Sequence, residues 1–327
     1  MKALILAGGF GTRLRPLTLT RPKHLLPIAN IPHIELVFDL LQRHEVDEVV
    51  LLTSYLAEAF DTTVVRAGRR GLKVEVTHEE APLGTAGALG NARALIGDDT
   101  FLALNGDVLT DVDLGAVVDF HAARGAEATL VLTPVPDPSA FGVVPTEPDG
   151  RVLGFIEKPP RDEAPTNLIN AGVYVFEPSV LERIPEGLVY SAERELFPEI
   201  VADKTMYALA CDAYWMDIGT PEKFLQANMD ALAGRYRVAG LQAPGADQNF
   251  LAEGAQVDAS ARVSSSCLGR GARIEADATV ERTVLLPGAL VERGATVRDA
   301  TLGENVIVAA EAEVRAVAVA DGQRIDI

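Results

Sequence analysis

Three glycines and four cations crowd residues 8–23. The run Leu4-Ile-Leu-Ala-Gly-Gly-Phe-Gly-Thr-Arg-Leu-Arg-Pro-Leu-Thr18 sets Gly8, Gly9 and Gly11 directly after an apolar stretch, and Arg21-Pro22-Lys23 follows. Glycines in that position let the backbone turn tightly with its N–H groups exposed, which makes a cradle for phosphate oxygens. Arg13, Arg15, Arg21 and Lys23 put positive charge beside the cradle in a chain whose formal net charge is -18. An island of cations in an acidic protein points to an anionic ligand. Asp107 ends the apolar run Phe101-Leu-Ala-Leu-Asn-Gly-Asp107, where a carboxylate suits a magnesium ion and the preceding glycine permits close backbone approach.

The loop is not a Walker motif, because no Gly-Lys-Ser/Thr follows. It also lacks the third glycine of a dinucleotide fingerprint, since position 14 is Leu14. The run Gly-Gly-x-Gly-Thr-Arg-Leu-x-Pro-Leu-Thr with its later Pro-Lys closely resembles the N-terminal signature of the sugar-1-phosphate nucleotidyltransferases, and the later Gly84-Thr-Ala-Gly87 looks most like the guanylyltransferases among them. The resemblance implies a Rossmann-like, mostly parallel α/β sheet. It implies transfer of a nucleotidyl group from a nucleoside triphosphate to a sugar 1-phosphate, with release of pyrophosphate and Mg2+ as cofactor. Carried over, Arg13 and Lys23 hold the triphosphate and the charge growing on its α-phosphorus, and Asp107 is paired as metal ligand with Asp217 of Trp215-Met-Asp-Ile-Gly-Thr220. Leu6, Gly8, Gly9, Gly11 and Thr12 then belong to the nucleotide site. So do Glu79, Gly84 and Thr85 of His78-Glu-Glu-Ala-Pro-Leu-Gly-Thr-Ala-Gly87, in which Glu79 or Glu80 can accept from guanine N1–H and N2–H2, although a thymine or uracil N3–H could also donate. Phe141-Gly142, Glu157-Lys158 and Asn170-Ala-Gly172 match the sugar-phosphate positions: Glu157 accepts from hydroxyls, Lys158 neutralises the phosphate, and Gly142, Asn170 and Gly172 shape the pocket.

The elements that must position these residues alternate. Apolar runs at 3–7, 48–53, 72–77, 100–104 and 128–135 read as strands, and 31–44, 56–68, 85–96 and 112–124 read as helices. Such alternation predicts a parallel sheet covered on both faces, with ligands past the strands' carboxyl ends. Residues 136–220 are less regular, and Thr220-Pro221 opens a helix to about 235. The expected division is a catalytic domain over 1–235, a linker over 236–249 and a second domain over 250–327.

That second domain is periodic. Leu251, Leu268, Leu285, Leu302 and Val319 recur every 17 residues, as do Val257, Ile274, Val291 and Val308, and Val263, Val280, Val297 and Val314. Aliphatic spacings of 6, 5 and 6 within a unit, with no aromatic residue after Phe250, predict a parallel β-helix of about four coils. Hexapeptide-type sequences of this kind usually form the left-handed version. An acyltransferase role for it would want a histidine base, and the last histidine is His121. The tail therefore reads as an assembly or regulatory module, with homo-oligomerisation expected.

Composition narrows the partners. Forty-seven acidic against 29 basic residues argue against nucleic acid. The apolar run near the start is too short for a signal peptide and no run is long enough to span a membrane, so a cytoplasmic protein is expected. Cys211 and Cys267 lie far apart and suggest neither zinc nor a disulfide. GTP with mannose 1-phosphate is the favoured substrate pair. Glucose-1-phosphate thymidylyl-, uridylyl- or adenylyl transfer is the alternative, and a non-catalytic nucleotide-sugar-binding subunit is disfavoured because Gly11, Arg13, Lys23, Asp107 and Asp217 are all in place.

Overall fold

A computed structural model of the chain describes residues 1–54, 56–79, 82–238, 240–241 and 248–326. Two compact units result, and they do not follow sequence order: Met1–Gly9 with Val37–Trp215, and Phe10–Leu36 with Met216–Ile327. Positions 239 and 242–247 of the expected linker lie outside the described residues.

The first unit is a nine-stranded mixed sheet. Its strands are β1 (Lys2–Leu6), β2 (Glu48–Thr53), β3 (Lys73–His78), β4 (Phe101–Asn105), β5 (Ala128–Pro134), β6 (Gly142–Val143), β7 (Ile156–Glu157), β8 (Leu168–Phe176) and β9 (Met206–Ala210). The main path runs β7-β6-β8-β4-β1-β2-β3, with β5 between β8 and β9. β1 pairs in parallel with β2 and β4, and β2 with β3, as the alternation predicts. The central residues of β1, β2 and β4 are buried, which fits a sheet covered on both faces, while the edge strand β3 is exposed or half-buried along its length. Beyond β4 antiparallel pairing enters, because β8 runs against both β4 and β5, while β9 pairs in parallel with β5. A bulge between Asn170 and Tyr174 contains Gly172 at φ +73°, and a Cβ there would lie 2.6 Å from Asn105 Nδ2. Only glycine fits such a backbone at that approach. Beneath it Tyr174, Phe176, Phe101 and Phe197 stack into one aromatic cluster with centroids 5.5 to 6.4 Å apart.

Two expected helices are broken. A short 3-10 turn, Ala57–Phe60, precedes helix Asp61–Arg69, and the stretch expected over 85–96 divides into Gly84–Asn91 and Arg93–Ile96. Glycines cause the second break's geometry. A Cβ on Gly84, Gly87 or Gly90 would meet Tyr190 O at 2.7 Å, Leu188 O at 2.8 Å or Ile184 Cγ2 at 2.7 Å. At every third position the helix thus lets the 184–190 segment come against it.

The second unit holds the rest of the signature and the periodic tail. Each strand of the tail pairs in parallel with the strand 17 residues on, as Leu251 with Leu268, Leu285, Leu302 and Val319, giving three sheets of five, five and four strands. The arrangement is a left-handed parallel β-helix cored by small aliphatic residues. Helix Pro221–Leu232 starts at Thr220, whose hydroxyl accepts from Lys223 N–H, as expected, but stops at Leu232. Its Asn228, fully buried, accepts from Ala29 N–H at 2.9 Å and donates to Pro27 O at 3.2 Å. Among the described residues no helix is long and apolar enough to cross a membrane.

Asn228→Ala strands a buried donor and a buried acceptor, and should cost on the order of 3 kcal/mol in denaturant unfolding. A loss below about 1 kcal/mol would mean that the 27–29 turn is held by something else.

Candidate active site

The carboxyl ends of the four parallel strands surround a cavity of about 300 Å³ in the first unit. Leu6, Leu52 and Ala88 give it an apolar lining, and Gly8, Gly9, Glu79, Gly84, Thr85, Asn105 and Asp107 complete it. Gly8 is a glycine for reasons of space, since a Cβ would sit 3.0 Å from Ser54 Oγ and 3.4 Å from Glu79 Oε2. Ser54 Oγ donates to the Gly8 carbonyl, and Gly106 N–H donates to Leu6 O at 2.9 Å, so the turns after β1 and β4 are tied together. Glu79 is 7% exposed, its N–H donates to Thr53 O at 2.9 Å, and its Oε1 is buried without a hydrogen-bond partner. Burial pushes its carboxyl above the usual carboxylate range. Glu80, the alternative acceptor, lies outside the described residues.

A second cavity of about 420 Å³ adjoins the first and shares Gly84 and Thr85. Its other walls include Phe141, Gly142, Glu157, Lys158, Asn170 and three residues not anticipated as lining, Ser191, Glu193 and Arg194. Glu157 and Lys158 pair at 3.0 Å with the lysine largely exposed. Lys158 has φ +50° and its N–H donates to Phe141 O at 3.0 Å, a strained backbone held by a strand-like contact. Asn170 is engaged by its own strand: Nδ2 donates to the Tyr174 hydroxyl at 2.8 Å and Oδ1 accepts from Gly172 N–H at 3.0 Å. Thr85 Oγ1 donates to Glu193 at 3.0 Å and accepts from Ala192 N–H at 2.8 Å. The 191–194 segment thus contributes polar groups to the cavity wall.

Gly11, Thr12, Arg13, Lys23 and Asp217 belong to the second unit. Gly11 has φ +62° and its carbonyl accepts from Thr18 Oγ1 at 2.7 Å, and a Cβ on it would lie 3.3 Å from Lys23 Cβ. Over Gly219 two groups meet: a Cβ there would lie 2.9 Å from both Arg13 Nη2 and Asp217 Oδ1. Asp217 Oδ2 also lies 3.2 Å from Lys223 Nζ, a cation whose position in the first turn of helix Pro221–Leu232 gave no sequence signal. Arg21, by contrast, is committed to Glu304 and Asp321. As donors for a cation, Asp107 and Asp217 are hard oxygen ligands, and no group of three His, Cys, Asp or Glu suited to a metal occurs among the described residues. Each aspartate, within its own unit, is an oxygen donor of the kind that suits a hard cation such as magnesium.

The chain matches the family described as Nucleotidyl transferase over residues 2–234 and that described as GlmU-like, C-terminal hexapeptide over 241–327. It is 43% identical over 71% of its length to a mannose-1-phosphate guanylyltransferase of Mycobacterium tuberculosis, and spans 65% of that protein. It is 39% identical over 81% of its length, and 72% of the relative's, to a mannose-1-phosphate guanylyltransferase catalytic subunit beta of Drosophila melanogaster. Among solved structures it resembles HddC from Yersinia pseudotuberculosis complexed with GMP-PN, with a TM-score of 0.60 and 28% identity over 69% of this chain and 97% of that one. It also resembles a putative glucose-1-phosphate thymidylyltransferase from Bacillus anthracis, with a TM-score of 0.64 and 26% identity over 75% and 99% of the two chains.

The raised Glu79 carboxyl makes a prediction about the ligand-free protein. A group that binds protons more tightly when folded imposes no cost below its unfolded value, and a growing cost as pH rises through its folded value. Glu79→Gln should therefore raise the melting temperature at neutral pH, with the gain shrinking to nothing by about pH 4. A thermal-shift series on both proteins measures it, and a pH-independent difference would mean the charge is not the cause.

Proposed function

We propose that this chain, which belongs to the nucleotidyl transferase family, transfers GMP from GTP to mannose 1-phosphate, forming GDP-mannose and pyrophosphate. A phosphate oxygen of the sugar phosphate attacks the α-phosphorus in line, and no covalent enzyme intermediate is needed because the nucleophile is already an anion. The observation that carries the reading is Glu79: a buried carboxylate oxygen lacking a donor, at the wall of a cavity that opens beside a second one lined by Glu157, Lys158 and Glu193. Guanine brings N1–H and N2–H2 side by side, the donor pair such a carboxylate requires. The names of the mycobacterial and insect relatives, and the guanine nucleotide in the Yersinia structure's title, support the same base. Thymine offers a single N3–H, so thymidylyl transfer, favoured by the Bacillus neighbour, is the second reading.

In this scheme Gly8, Gly9, Gly11 and Thr12 supply backbone and hydroxyl groups to the triphosphate, and Leu6, Gly84 and Thr85 bound the nucleoside. Arg13 and Lys23 stabilise charge as the pyrophosphate leaves. Glu157 accepts from sugar hydroxyls, Lys158 neutralises the sugar phosphate, and Gly142, Asn170 and Gly172 shape that pocket. The family generally works with a divalent metal, and we assign Mg2+: Asp107 and Asp217 would hold it, and it would supply positive charge to offset that of the phosphates. Residues 1–235 act as the catalytic domain, and the β-helix provides a surface for a homo-oligomer in the cytoplasm.

A pyrophosphate-release assay over five nucleoside triphosphates and several sugar 1-phosphates tests the assignment. GTP with mannose 1-phosphate should give the highest kcat/KM, and Glu79→Gln should narrow the margin over dTTP; a higher value for dTTP with glucose 1-phosphate would replace the first reading by the second. Lys23→Ala and Asp107→Asn should each lower kcat about a hundredfold, about 2.7 kcal/mol of transition-state stabilisation. Near-normal turnover by either variant would remove that residue from the mechanism.

A further inference from the structure

The segment that carries Lys23 is fastened to the β-helix on both sides of that lysine. On one side Arg21 donates from Nη1 to Glu304 at 2.5 Å and from Nη2 to Asp321 at 2.6 Å, with its side chain only 15% exposed. Thr20 Oγ1 donates to the same Asp321 oxygen at 2.5 Å. On the other side Asn30 Nδ2 donates to Leu268 O at 3.1 Å and Phe250 O at 3.3 Å. Asp321 is itself built in. Its other oxygen accepts from Glu304 N–H at 2.7 Å, and a Cβ on Gly303 would collide with it at 2.6 Å, so Gly303 leaves the space it fills.

Glu304 and Asp321 are 17 residues apart, the same position on successive coils. The parallel stacking that builds the helix therefore sets their separation, and a rigid pair of carboxylates meets both arms of one guanidinium. Ion pairs on flexible exposed side chains contribute little, but a two-pronged, mostly buried guanidinium held by charge-assisted bonds fixes geometry. The segment around Lys23 is made of turns and 3-10 pieces, and this pair holds it together with the buried side chains of His24 and Leu26 and with Asn30.

Resting on the reading that Lys23 acts on the triphosphate, we propose that Asp321 and Glu304 are positioning residues for the transfer reaction, holding Arg21 so that the β-helix fixes the cationic loop. The tail is then part of the catalytic apparatus as well as an assembly surface. Displacing a charged group by about an ångström at a reaction centre is costly in rate while leaving binding elsewhere intact.

The test uses the full chain with Asp321→Asn, Asp321→Ala, Arg21→Met and the reversed pair Arg21→Asp with Asp321→Arg. Hydrogen exchange followed by mass spectrometry should show faster exchange over residues 10–26 in the single variants, with the coils over 267–315 unchanged. Steady-state kinetics should show kcat lowered on the order of tenfold with the sugar 1-phosphate KM within about twofold, and the reversed pair should recover most of both signals. Unchanged exchange over 10–26, or unchanged kcat, overturns the proposal, as does a loss of exchange protection spread through the coils. The isosteric Asp321→Asn decides the matter if the alanine variant does not fold. If the wild-type chain turns over no substrate pair, the proposed reaction fails, and the exchange result alone still decides whether the carboxylates hold the loop.

Discussion

A sheet whose strands are buried on both faces has no side chains left for chemistry along its length. β1, β2 and β4 are in this position, their central residues committed to the core. Function is pushed to the residues just beyond the strand ends, and each parallel strand supplies one there: Gly8 after β1, Ser54 after β2, Glu79 after β3 and Asp107 after β4. Register makes this useful. Because Leu6 pairs with both Leu52 and Asn105, and Thr53 with His78, the four chain exits come out side by side and can line one cavity. The same constraint explains the glycines after β1, since adjacent exits leave room for backbone and little else.

What was legible in the sequence follows from what is local or periodic. The strand runs, the 17-residue repeat and the Thr220-Pro221 helix start could be read because each is a pattern within a few dozen residues. Gly8 and Asp107 could be placed at strand ends for the same reason. The antiparallel half of the sheet was not legible, because its organising feature, the Gly172 bulge over Asn105, joins residues from distant strands and leaves no period. The missing side chains of Gly84 and Gly87 admit the backbone of Tyr190 and Leu188, a contact between distant segments that no local pattern announces. A glycine says that something approaches closely and not what does. Arg21 looked like a fourth phosphate cation from its neighbourhood in sequence, and only a contact spanning about three hundred positions assigns it to Glu304 and Asp321. Lys223, the neighbour of Asp217, was missed because a lysine in a helix's first turn is unremarkable by type.

The two units use opposite means of holding functional groups. In the first, charge is held by burial among strand ends, and its price shows in the raised Glu79 carboxyl. In the second, the loop bearing Arg13 and Lys23 has Leu14, Leu17 and Leu26 buried, and the rest is secured by polar contacts to Asn228, to β-helix carbonyls and to β-helix carboxylates. Polar anchoring suits a cationic segment, because cations buried to gain apolar contacts would lose their charge or their ligand.

The β-helix suits the anchoring role for a mechanical reason. Its core is filled by alanine, valine and leucine stacked in register, with strands locked to the coil on either side, so its surface carboxylates have a fixed spacing before any partner arrives. An α-helix would space acidic side chains by turns of long rotatable stems, and a loop would have to be ordered on contact at an entropic cost. Parallel coils instead present the same position once per coil, about 4.8 Å apart, a separation that two arms of a guanidinium can span. Repetition that looks purely structural in the sequence thereby provides a ruler for placing charge.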